Sequence, residues 1–258
     1  MKTKLSHDEH EQKKYYNQVA SVYDSYHSNK YALQYRYRIY DSILDTVDLE
    51  GKHVLDAMCG GGEASTYFAN HNCSISALDI SVEQCEIYSK RFPRNAVVCA
   101  SIISTNFPDN TFDLIVTDSL HHTQPKVDQA ISEIVRILKP NGYLLSWEPS
   151  AKSVINKFRK LWYKLDQSYF QSNEKSIDID QLLVDANGKL KARKVIFGGG
   201  FAYLLVCQAM AFRIPHWALS IYAPWLIKIE FGLSLLKIRK SLHMWVLALL
   251  QNDASAEH

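Results

Sequence analysis

The sequence predicts an α/β fold: an open, doubly wound, mostly parallel sheet with helices on both faces. Three observations carry this. Short apolar runs alternate with amphipathic helical segments between residues 52 and 149, the pattern of right-handed βαβ units whose sheet is covered on both sides. Three consecutive glycines, Gly60, Gly61 and Gly62, follow the first apolar run and open the next helix. Residues able to do chemistry cluster just after the apolar runs, where open sheets of this kind bind ligands. They are Asp56 with the glycines, then Asp79, Ser101, the stretch from Asp118 to His122, and Glu148.

Residues 8–27 form a polar amphipathic helix in this reading, with Val19, Val22, Tyr23 and Tyr26 recurring on one face. A second helix is expected over 31–47. After Gly51 the period changes. "KHVLDAM" is a first strand, "EASTYFANH" a helix starting at the glycines, "SISALDI" a second strand, and "SVEQCEIYSKRF" a second helix of the sheet region. "AVVCA" and "FDLIVTDS" are strands three and four. "KVDQAISEIVRILK" is an amphipathic helix stopped by Pro140 and Gly142, and "YLLSWEP" is strand five. Residues 151–170 read as a basic-aromatic helix, "IDIDQLLVDANG" as a short helix, and "KLKARKVIF" as a sixth strand.

The chain has 258 residues, is 47% hydrophobic and carries a formal net charge of +2. That supports one sizeable core and gives no dedicated nucleic-acid surface. None of the five cysteines (Cys59, Cys73, Cys85, Cys99, Cys207) forms a CxxC pair, and most lie in apolar runs, so reduced buried thiols are expected. The polar N-terminus lacks a leader-type apolar segment, and no stretch reaches about 18 uninterrupted apolar residues. A cytoplasmic protein follows, with peripheral membrane contact as one alternative. His7 and His10 are closely spaced but sit in the polar tail; no metal site is predicted.

Glycines between a strand and a helix bring free N–H groups and the positive helix end toward a ligand, with no Cβ to keep it away. A dinucleotide loop wants G-x-G-x-x-G, and here the last position is Ser65. Asp56 ahead of the glycines suits a ligand with an amino group and is awkward beside a pyrophosphate. Asp79, ending strand two, suits a ribose diol. Amino group, ribose and adenine together describe S-adenosylmethionine.

On these residues the sequence resembles the class I S-adenosylmethionine-dependent methyltransferases, closest to their small-molecule, ubiquinone-type branch. Val54, Leu55, Asp56, Cys59, Gly60 and Gly62 match the first motif, while Met58 departs from its usual glycine or alanine. "YYNQVASVYDSYH" is similar to the family's N-terminal helix, with Tyr23 and Asp24 carrying the Tyr-Asp that closes over the cofactor. "VRILKPNGYLL" is similar to its helix, turn and fifth strand. The resemblance implies a Rossmann-like, seven-stranded sheet with an N-terminal helical lid and a C-terminal helical insertion. It implies one domain over 1–258: lid 1–50, core sheet 51–197, apolar helical insertion 198–240, and a last antiparallel strand in 241–252, read as "HMWVLALLQ" with "FAYLLVCQ" as the alternative. The cofactor residues it implies are Tyr23, Asp56, Met58, Cys59, Gly60, Gly62, Asp79, Ile80, Ser101, Ile102 and Asp118. S-adenosyl-L-homocysteine is the product.

Methyl transfer from a sulfonium is an in-line displacement in which the protein aligns the nucleophile and takes its proton. His121 and His122, after strand four, are the candidate bases, with no ground in the sequence for choosing between them. Asp118, Glu148 and His27 are secondary candidates. The segment 201–240 is rich in aromatics and interrupted by Arg213, Lys228, Lys237, Arg239 and Lys240. Two or three helices are expected there, as a pocket wall, a homodimer interface or a membrane contact. The expected function is O-methylation of an apolar or lipid-linked small molecule. The rivals are a catalytically silent S-adenosylmethionine-binding protein, an NAD(P)-dependent reductase, and an RNA methyltransferase, which the near-neutral charge disfavours.

Overall fold

The computed structural model describes residues 5–155, 176–233 and 242–253. Two helices, α1 (His7–His27) and α2 (Lys30–Ile43), precede β1 (His53–Ala57), α3 (Glu63–Ala69), β2 (Ser74–Asp79), α4 (Val82–Arg91), β3 (Ala96–Cys99) and β4 (Phe112–Thr117). A short turn of helix (Leu120–Thr123) leads to α5 (Val127–Ile137) and β5 (Leu138–Pro149). Beyond residue 175 lie α6 (Ile179–Asp185), β6 (Leu190–Gly198), a π-helical turn (Tyr203–Cys207), α7 (His216–Leu233) and β7 (Trp245–Asn252).

The seven strands form one sheet in the order β3-β2-β1-β4-β5-β7-β6. Neighbours are parallel except β7, which runs antiparallel between β5 and β6. Strand order reverses between β1 and β4, so the loops leaving them part and open a crevice at their C-terminal ends.

Successive strand residues point to opposite faces, and the two core layers sort accordingly. Val54, Leu114, Val116, Leu145, Leu247 and Leu249 pack with Tyr35, Ile39, Tyr40 and Ile43 of α2 and Phe68 of α3. Leu55, Ile115, Leu144, Val246, Ala248 and Leu250 pack with Ile131, Ile134 and Ile137 of α5 and Leu182 of α6. Burial on both faces is why the strands read as near-continuous apolar runs rather than alternating ones.

Three expectations are corrected. The helix expected to 47 stops at Ile43, because Thr46 and Val47 are weak helix formers and the chain turns to bury Leu44 and Leu49. The helix α5 ends at Ile137, short of Pro140: the residue before a proline avoids the helical region, and Leu138 already pairs with Phe112 in the sheet. "FAYLLVCQ" makes no strand. Glu230 of α7 accepts the amides of Gly200 (3.0 Å) and Ala202 (2.6 Å), turning that backbone away from a ladder. The last strand is the one expected over 243–251. Most of the basic-aromatic helix expected over 151–170 lies outside the described residues. Three of the cysteines are buried, and Cys99 is exposed.

Candidate active site

Two adjoining clefts lie at the C-terminal ends of the strands. The first is floored by Leu78, Asp79, Ile80, Ala100, Ser101 and Ile102 and roofed by Glu9, Gln12 and Tyr16 of α1. The second is lined by Arg36, Asp56, Cys59, Glu63, Asp118, His121, Trp147 and Glu148, with Tyr203, Cys207, Gln208 and Met210 as its far wall. Tyr16, Tyr23, Met58, Gly60, Ser119 and His122 border both. They enclose about 750 and 1130 Å³, open mouths included.

The loop after β1 explains its glycines one at a time. Gly60 has φ +52° and donates its amide to Asp79 Oδ2 at 2.9 Å. The other oxygen of Asp79 accepts from Ser81 N at 2.8 Å. Burial raises the Asp79 carboxyl above its ordinary value, and these amides oppose the rise. Gly62, at φ +92°, caps α3; a Cβ there would stand 2.9 Å from Tyr88 Cε2 and nearer still to the Phe92 ring. Gly62 borders neither cleft, so its missing side chain makes room for two aromatics. Gly61 makes room for Asp24: the lid carboxylate pairs with Arg91 at 2.9 Å, and Arg91 Nη1 donates to Gly61 O at 2.6 Å. Tyr23 thus borders both clefts, while Asp24 clasps the loop from outside. Met58 borders both clefts and holds a left-handed φ of 60°, a conformation that glycine adopts at less cost.

Asp56 turns into α3, where its Oδ2 accepts from Ser65 N (2.9 Å) and Ser65 Oγ (2.7 Å). Burial pushes its carboxyl up to about 8. The acid beside the clefts that sequence reading missed is Glu63. It is buried, its Oε1 has no hydrogen-bond partner, and burial pushes its carboxyl up to about 7, with Arg36 opposing. Arg36, also missed, is half-buried across the cleft, paired with Asp118 and 4.9 Å from the Trp147 ring centre. Asp118 further accepts from Tyr40 Oη at 3.1 Å. The signal was present in "YALQYRYRIY": Arg36 interrupts the face that Tyr35, Ile39, Tyr40 and Ile43 bury.

The two histidines part company. His121 Nδ1 lies 2.8 Å from Glu148 Oε2, and Glu148 also accepts from Leu120 N (2.9 Å), His121 N (3.2 Å) and Ser146 Oγ (3.2 Å). Burial pushes the Glu148 carboxyl up to about 8 against those donors. His122 turns to the lid: its Nε2 is 2.8 Å from Tyr16 Oη, and its carbonyl accepts from the Gln12 side chain. His27 stacks on Tyr23 at 3.9 Å and is depressed to about 3 by burial and by Arg36, so it stays neutral and is a poor base at neutral pH. Among the described residues no group of three His, Cys, Asp or Glu could hold a metal.

The arrangement fits S-adenosylmethionine: a buried, amide-oriented carboxylate at the ribose position, a buried carboxylate oxygen without a donor at Glu63, and apolar Ile80 and Ile102 beside Ser101. Residues 55–146 match the family model described as a methyltransferase domain. The fatty-acid O-methyltransferase of Mycolicibacterium smegmatis is 29% identical over 121 residues, 45% of this chain and 43% of that one. A phthiotriol/phenolphthiotriol dimycocerosates methyltransferase of Mycobacterium ulcerans is 31% identical over 103 residues, 38% of each chain. The match thus spans less than half the length of these curated relatives. Among solved structures, the 4+2 cyclase SpnF superposes with TM-score 0.68 at 17% identity, over 98% of this chain and 99% of that one. Phosphoethanolamine N-methyltransferase 2 of Haemonchus contortus, bound to S-adenosyl-L-methionine, gives 0.64 at 16% identity, over 97% and 61%. The matched segment, with the sheet order and glycine loop around it, supports a class I S-adenosylmethionine-dependent methyltransferase. The methyltransferase-domain match, together with neighbours bound to S-adenosyl-L-methionine or S-adenosyl-L-homocysteine, supports S-adenosylmethionine as the cofactor.

Proposed function

We propose that this protein transfers a methyl group from S-adenosylmethionine to a hydroxyl oxygen of an apolar or lipid-linked small molecule, with His121 as the base. The observation that carries the reading is the His121–Glu148 pair bordering the second cleft. In its ionised form Glu148 accepts Nδ1–H, leaves Nε2 as the proton acceptor and steadies the imidazolium that forms, so transfer should rise as pH approaches 8. When bound, S-adenosylmethionine supplies an electrophilic methyl on a sulfonium. Asp79 accepts from its ribose hydroxyls, Glu63 accepts from its ammonium, and Arg36 donates to its carboxylate. Tyr16 and Gln12 hold the lid to His122, which keeps water from the reacting atoms. The apolar side chains of Trp147, Tyr203 and Met210 in the second cleft favour an apolar acceptor. The relatives' names, a fatty-acid O-methyltransferase and a phthiotriol/phenolphthiotriol dimycocerosates methyltransferase, support that choice.

The test is methyl transfer to long-chain alcohols and phenols by wild type, His121→Asn and Glu148→Gln. His121→Asn should lower kcat about 100- to 10,000-fold while S-adenosylhomocysteine affinity stays within about twofold. A smaller kcat loss, under about threefold, would remove His121 as the base. A second reading, a silent cofactor-binding protein, is favoured by Met58, a residue that borders both clefts. Tight S-adenosylhomocysteine binding with no transfer to any acceptor would select it.

A further inference from the structure

The helix α7 carries an outward stripe at every fourth residue: Trp217, Ile221, Trp225, Ile229 and Leu233. Trp217, Ile221 and Trp225 are 69%, 66% and 67% exposed, far beyond what scattered surface apolar residues require. The opposite face is packed: Leu219, Ala223 and Ile227 are buried, and Tyr222 donates to Leu205 O at 2.6 Å. The one acid of the helix, Glu230, is turned inward to the amides of Gly200 and Ala202 and to Tyr35 Oη. The outward stripe therefore shows no carboxylate, and Lys228 lies over its Trp225 ring, 5.3 Å from the ring centre. In sequence, residues 201–240 hold five basic residues and one acidic residue.

We propose that α7 is a membrane-docking helix that lies flat on an anionic lipid surface, with the Trp217–Leu233 stripe buried among the headgroups and acyl chains. An apolar stripe with tryptophans and a lysine beside them is the chemistry of interfacial helices. A second copy fits less well, because a twofold contact would bring Lys228 of each copy to a stripe with no acid to meet it. Among the described residues no helix is long and apolar enough to cross a membrane. At 18 residues, about 27 Å long, α7 suits an in-plane position. Its inner face supports the turn whose Tyr203 and Cys207 wall the second cleft, and His216 packs on Tyr26 of the lid at 4.4 Å. One helix thus joins the lipid-facing stripe to the acceptor wall.

The test is co-sedimentation of the full chain with mixed phosphatidylcholine–phosphatidylglycerol vesicles and with pure phosphatidylcholine vesicles. S-adenosylhomocysteine binding serves as the readout of folding. Binding should be about fivefold or more stronger on the mixed vesicles. Trp217→Ser with Trp225→Ser should weaken it about tenfold or more. Ile221→Ser with Ile229→Ser is the second variant pair, and Val184→Ser, an exposed apolar site on α6, should change nothing. Absence of vesicle binding by the wild type overturns the proposal, as does binding that both pairs leave intact. A dimer in sedimentation velocity that the tryptophan pair dissociates, without vesicle binding, assigns the stripe to a second copy. Vesicle binding needs no turnover, so this result stands apart from the test of methyl transfer.

Discussion

Gly62→Ala is the substitution whose cost can be worked out most directly. The backbone at Gly62 has φ +92°, which a side chain adopts only with strain of about 1–2 kcal/mol. The new Cβ would stand 2.9 Å from Tyr88 Cε2 and closer to the Phe92 ring. Tyr88 is buried and tied to Ser65 Oγ at 2.8 Å, so it cannot swing clear without breaking that contact. Overpacking of this kind costs about 1–3 kcal/mol. The expected loss is about 2–5 kcal/mol, a large part of the stability of an ordinary domain. Urea unfolding should show a lower midpoint at unchanged slope, and Tm should fall by roughly 4–20 °C. Gly61→Ala is the internal comparison. There the Cβ meets the end of a partly exposed side chain, Asp24, and the Asp24–Arg91 pair can shift for under about 1 kcal/mol. Equal losses at the two positions, or a loss under about 0.5 kcal/mol at Gly62, would refute the packing argument.

Asp79→Ala should weaken S-adenosylhomocysteine binding about tenfold or more in calorimetry, since the variant loses both the acceptor and the orientation of Gly60 N; unchanged affinity would remove Asp79 from the cofactor site. Asp56 and Glu63, pushed up to about 8 and about 7, bind protons more tightly folded than unfolded. Their stabilisation is therefore fully present below the ordinary carboxylate range and is lost as pH rises toward 8. Unfolding free energy of the ligand-free protein should fall from about pH 5 to about pH 8, and Glu63→Gln should remove part of that slope. A wild-type profile that is flat or rising would contradict it.

The sheet was legible because its cause is local. Each strand had to bury both faces, so Val54–Leu55 and Leu114–Ile115–Val116 are apolar without interruption. The glycine run and Asp79 mark a strand-to-helix turn within a few residues of each other. Boundaries moved where two local signals competed, as at Lys139–Pro140, or where a distant carboxylate, Glu230, took amides that a strand would have used.

The sequence by itself determined the α/β layering, the order of strands and helices, and the edge of the sheet at which the chemistry gathers. These rest on period, turn residues and chain order. Only the tertiary structure decided which histidine has an orienting acid, because Glu148 reaches His121 from 27 residues away. It likewise decided that Gly62 serves Tyr88 and Phe92, that Arg36 meets Asp118 across 82 residues, and that Tyr16 of the lid meets His122 across 106. Side-chain aim and burial arise from contacts between segments far apart in the chain, and no short stretch of sequence contains them.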